Sequence, residues 1–137
     1  MACSLSNTNI SFELPIYWTQ HYKTKADKTV LVGMNFYRNA HHHAQNSLKK
    51  HFHELVIQQL SSDAVEGLYR LHLKIYYKNA TCDGSNVAAL IEKFALDALQ
   101  SHNTVVNDNV KFHIGTTWEI AGQDKTNPRC IVTVNPE

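Results

Sequence analysis

At 137 residues the chain is long enough for one domain with a sizeable core, and 43% hydrophobic with 18% charged residues is an ordinary globular balance. No apolar run approaches the ~20 residues of a membrane-spanning helix, and the opening residues lack the basic and then apolar regions of a secretory signal. A formal net charge of +1 excludes a polycation, so a nucleic-acid partner would have to be met by locally concentrated charge.

Residues 1–9 are polar and expected to fray. Residues 10–14 alternate, with Ile10, Phe12 and Leu14 on one side, and read as a first strand that Pro15 ends. Residues 17–28 are aromatic and basic without periodicity and read as a loop or arm. Residues 30–36 read as a short strand or turn broken at Gly33.

A long helix is expected over 39–60, because Ala40, Ala44, Leu48, Phe52, Leu55, Val56 and Leu60 recur every three or four residues. Residues 68–78 make the clearest strand: Leu71, Leu73, Ile75 and Tyr77 face one way, and Arg70, His72, Lys74, Tyr76 and Lys78 the other. Next comes an amphipathic helix capped by Asn86, with Val87, Leu90, Ile91, Phe94, Ala98 and Leu99 as its apolar stripe, fading near Ser101. Residues 111–120 and 129–134 alternate again and complete four strands. The expected fold is α+β, a small mixed sheet of about four strands with two main helices in a single domain over residues 1–137.

Three groups of residues bear on chemistry. Asp83 and Asp108 stand in the loops before and after the second helix, and Asn86, Lys93 and Asp97 fall within about 40° of one another on it. Carboxylate and amide oxygens suit a hard divalent cation such as Mg²⁺. The plain alternatives are turn aspartates and a solvated i,i+4 pair. The basic strand face (Arg70, Lys74, Lys78), with Arg38 and Lys50, could track phosphates or be an ordinary wet surface. In a regular helix His41, His42 and His43 would point about 100° apart, so at most two could meet one ion; they read as helix surface. Cys3, Cys82 and Cys130 are odd in number and widely spaced, as fits reduced thiols in a cytoplasmic protein.

Taken in order, the run Asp83-Gly84-Ser85-Asn86, the helix bearing Lys93-Phe94 and Asp97-Ala98-Leu99, and the run Asn107-Asp108-Asn109-Val110-Lys111 resemble the RusA Holliday-junction resolvases, most closely their phage-encoded branch. Asn35-Phe36-Tyr37-Arg38-Asn39-Ala40-His41 and the 122–129 segment add to the likeness, which covers residues 17–134. The resemblance implies a Mg²⁺-dependent endonuclease (Mn²⁺ substituting) that cuts four-way junctions and other branched DNA as a homodimer. It implies that Asp83 and Asp108, with Asp97, hold the metal, and that Lys93 stabilises developing charge; Asn86 matches the motif asparagine. Ser85 and Asn107 stand where the family has acids, and the helix is about one turn longer between Asn86 and Lys93. These departures remove up to two carboxylates. They open a second reading, a branched-DNA-binding or inhibitory protein on the same fold.

Overall fold

The computed structural model describes residues 9–107 and 109–137. Among the described residues six strands and three helices follow one another as β1 (Ile10–Pro15), β2 (Tyr17–Gln20), β3 (Lys28–Leu31), α1 (Met34–Asn39), α2 (His42–Gln59), β4 (Tyr69–Tyr77), α3 (Gly84–Ser101), β5 (His113–Gln123) and β6 (Arg129–Pro136). Four strands form one sheet in the order β1-β6-β4-β5, while β2 and β3 pair as a separate hairpin. β4 and β5 run parallel, with α3 as the crossover that a parallel pair needs, and the other pairs are antiparallel. The fold is α+β, with a mixed sheet as expected.

Alternation along β4 does what the sequence implies. Tyr69, Leu71, Leu73 and Ile75 are buried beneath the helices, and Arg70 and Lys74 are exposed on the opposite face. From α3 the buried stripe includes Leu90, Ile91, Phe94, Ala98 and Leu99; α2 adds Leu48, Phe52 and Val56. Their rings interlock: Phe52 and Phe94 lie 5.4 Å apart, and Tyr37 meets Phe94 edge-on at 5.5 Å. At about 1.5–3 kcal/mol for each large apolar side chain fully buried, this helix–sheet layer is the main source of stability.

Several local expectations are corrected. Residues 17–28 are not all loop, because Tyr17–Gln20 is a strand whose Trp18 pairs with Val30 and whose Thr19 hydroxyl bonds that of Thr29 at 2.8 Å. Four-residue strands are too short to show a period. The helix expected over 39–60 is present as α2, starting at His42, whereas the strand or turn expected over 30–36 is the end of β3 followed by α1. Ala40 and His41 are extended between the two helices, and Gln45 Nε2 donates to the Tyr37 carbonyl at 2.6 Å, closing the end of α1. The cap of α3 is Asp83 rather than Asn86. β5 starts two residues later than expected and runs on to Gln123. Its Trp118 and Ile120 stay 43% and 46% exposed despite facing the helix side, since β5 is an edge strand.

Candidate functional site

Asp83 sits where β4 has ended and α3 begins. Its Oδ1 accepts from the Asn86 backbone N–H at 3.2 Å and from the Ser85 hydroxyl at 3.0 Å, so the carboxylate serves first as a helix cap. The residue is exposed. Ser85, at the position where the resemblance implies an acid, is bonded to Asp83 rather than set beside it as a second anion. Asn86 turns away: its Oδ1 accepts from the Asn35 backbone N–H at 2.7 Å and ties α3 to the start of α1. Gly33 permits this approach, because a Cβ there would collide with the Asn86 amide.

The other expected site residues do not gather around Asp83. Lys93 is exposed and Asp97 half-buried on α3. At 1.5 Å of rise per residue, they lie about 15 Å and about 21 Å along the axis from Asp83. Asp83 and Asp97 therefore cannot share one ion, which corrects the three-carboxylate expectation. Asp108 lies outside the described residues. Asn107, its neighbour in sequence, accepts a bond from the Tyr69 hydroxyl at 2.7 Å, at the start of β4. Asp83 follows the other end of that strand. Eight residues of strand at roughly 3.3 Å each separate the two ends by about 26 Å. The parallel pairing of β4 and β5 imposes this separation.

Cys82, half-buried next to Asp83, has its thiol pushed up by burial and then by the aspartate charge. It is protonated at neutral pH and so a poor nucleophile. Burial alone pushes the Cys130 thiol up to about 12.

Of the three cations on the basic strand face, Arg70, Lys74 and Lys78, Arg70 alone has a carboxylate partner within ion-pair distance among the described residues. Arg70 pairs with Glu137 at 3.4 Å and His72 with Glu119 at 3.4 Å. Arg129 joins Asp124 at 2.8 Å and lies over the Tyr76 ring. Lys74 is exposed, and Lys78 lies over the Tyr17 ring at 5.5 Å. Arg38 on α1 and Lys50 on α2 are exposed.

Charge collects elsewhere. Residues 14–53 carry six lysines and arginines against one acid, Asp27, whereas the rest of the chain carries seven against eleven. Asp27 is itself paired with His21 at 2.9 Å. This basic stretch builds a cleft of about 680 Å³ between the β2–β3 hairpin and the α1–α2 junction. Its walls include Trp18, Tyr22, Phe36, His41, His43 and His51. Trp18 and Phe36 meet edge-on at 6.4 Å, and Lys25 Nζ lies 4.3 Å from the Tyr22 ring centre. Sequence reasoning marked the lysines of this arm but missed the cleft. The available signal was His43, Ser47 and His51 at i, i+4 and i+8, facing an aromatic segment.

The three adjacent histidines are also brought together, against the expectation of a helical spread. His41 lies outside α2 as its cap, and its Nδ1 accepts from the His43 backbone N–H at 3.2 Å. The rings crowd together with centres 4.1 to 5.0 Å apart, His41 and His43 stacked and His42 tilted against both. Crowding by His43, then His41, then slight desolvation lowers the His42 pKa below the ordinary imidazole value.

No family model matches the chain, and no curated protein matches it.

Proposed function

We propose that this chain binds branched DNA, four-way junctions included, as a cytoplasmic homodimer of the RusA type. The observation that carries the reading is that residues 14–53, a stretch rich in positive charge, also build a cleft walled by Trp18, Tyr22 and Phe36, with Lys25 Nζ 4.3 Å from the Tyr22 ring centre. Lysine and arginine supply the salt-dependent attraction to phosphates, and aromatic side chains stack on bases that a branch point leaves unpaired. The exposed Trp118 and Ile120 on edge strand β5 offer an apolar strip that a second copy would cover. Among the described residues no helix is long and apolar enough to cross a membrane.

The test is fluorescence anisotropy with a four-way junction, a splayed duplex and a linear duplex over a salt series. Junction affinity should fall steeply with salt and exceed that for linear duplex. A flat salt response, or equal affinity for all three DNAs, overturns the reading.

Mg²⁺-dependent cutting is the second reading, favoured by the exposed Asp83 carboxylate, whose Oδ2 takes no part in the cap. The described residues fit Mg²⁺ poorly. They offer it one carboxylate, the low end of the one or two that such ions take beside phosphate, and one oxygen of that carboxylate is already occupied by the Ser85 hydroxyl and the Asn86 N–H. Binding is therefore placed ahead of cutting. Incubating a labelled junction with Mg²⁺ or Mn²⁺ separates the two: nicking that Asp108→Asn abolishes restores the nuclease reading. Nicking by Ser85→Asp alone, with none by wild type, identifies a site disarmed by the loss of an acid.

A further inference from the structure

We infer that His41, His42 and His43 form a site for a divalent transition ion of the Zn²⁺ class, separate from Asp83 and independent of the DNA-binding reading. One ligand nitrogen from each imidazole lies within 4.8 Å of the other two. This grouping is a consequence of the chain break between α1 and α2. His41, at φ −59° and ψ 147°, stands in extended backbone and folds its ring back over the first turn, where helical neighbours would have splayed apart.

A tetrahedral ion with Zn–N bonds of about 2.0–2.1 Å needs its nitrogens roughly 3.4 Å from one another. All three rings are exposed, so side-chain rotation can close that gap without moving packed groups. Three neutral imidazoles suit Zn²⁺, Ni²⁺ and Cu²⁺ and disfavour Mg²⁺, which prefers oxygen. Three protein ligands leave a fourth position for water or a bound group. Two of the three, His41 and His43, line the aromatic cleft, so that position borders a cavity large enough for a small ligand.

Two features oppose the ion, and neither is large. The N-terminal end of α2 carries the positive end of its dipole, which acts weakly at an exposed site. Coordination through His41 Nε2 also moves that ring's proton to Nδ1, which then ceases to accept from the His43 N–H. The bond given up is a long one, at 3.2 Å.

Untagged full-length protein should be titrated with Zn²⁺ by calorimetry and with Co²⁺ by visible absorption. One ion per chain is expected, with Co²⁺ bands typical of nitrogen coordination and no competition from excess Mg²⁺. His42→Gln and His43→Gln replace exposed side chains, and each should weaken binding by about tenfold or more, at least what loss of an outer-shell partner costs. His41→Asn, which keeps a capping side chain, should do the same with unchanged circular dichroism. His102→Ala should leave binding intact. Absence of stoichiometric binding to wild type, or full binding retained when all three histidines are replaced, overturns the site.

Discussion

At the scale of single residues, Asp83 holds a structural duty that any chemical role must share. Asp83→Ala should cost about 1 kcal/mol, the usual loss for an N-cap, whereas Asp83→Asn should cost far less because Asn caps equally well. Urea denaturation of both variants measures this, and Asp83→Asn is then the right variant for asking whether charge matters in DNA cutting. Asp124 offers a second test. Backbone bonding from Asn127 first, then the Thr126 hydroxyl, with Arg129 adding to it, holds its carboxyl below the usual range. A carboxyl lowered on folding contributes stability that is present above its unfolded pKa of about 3.9 and is lost as pH falls through the lower folded value. The stability difference between wild type and Asp124→Asn should therefore be largest near neutrality and shrink below about pH 4. Denaturation midpoints at pH 7 and pH 3 check it, and an unchanged difference would assign the effect to packing instead.

Among the elements, α3 supplies the largest share of the core and should tolerate least. Phe94 is 2% exposed and touches rings from both other helices, so Phe94→Ala should destabilise by about 3–5 kcal/mol. By contrast Val110, at 91% exposed, should change stability by no more than about 0.5 kcal/mol when replaced by Ala. Thermal melts of the two variants measure the contrast. Beside the Tyr37–Phe94 ring contact, α1 is tied to α3 by the bond from the Asn35 N–H to Asn86 Oδ1, packed over Gly33. Gly33→Ala would push the Asn86 amide aside and leave that N–H unpaired, so it should destabilise although alanine is an ordinary residue. Chemical denaturation measures it, and a neutral result would show that α1 docks without the bond.

For the whole molecule, a net charge of +1 conceals a division into a basic stretch and an acidic remainder. Lys23, Lys25 and Lys28 belong to the hairpin side of the cleft, while Arg70 on the sheet is offset by the Glu137 carboxylate. Replacing the three hairpin lysines with alanine should therefore reduce the salt slope of DNA binding by up to about 3, one for each phosphate no longer neutralised. Replacing Arg70 should change it little. The opposite ranking in anisotropy titrations would move the DNA to the open face of the sheet. The strip of Trp118 and Ile120 belongs to assembly: Trp118→Lys should convert a dimer to a monomer in light scattering, and a wild-type monomer would sink the homodimer.

Periodicity alone determined the α+β class, the strand at β4 with its buried and wet faces, and the α3 helix with its apolar stripe, because each is long enough to repeat its pattern several times. Short pieces were not legible. The β2 and β3 strands gain their order from each other, and the short helix α1 is closed at its end by a side chain, Gln45, reaching back to Tyr37. The candidate site was legible only as a set of residue types in order. Asp83, Asp97 and Asn107 look neighbourly on paper, but a straight helix and a parallel strand pair fix them far apart in space. Conversely, His41 to His43 looked dispersed, and an extended residue at the helix start drew them together. Sequence spacing fixes directions within an element; only the chain's turns between elements decide which side chains meet, since those depend on packing partners distant in sequence.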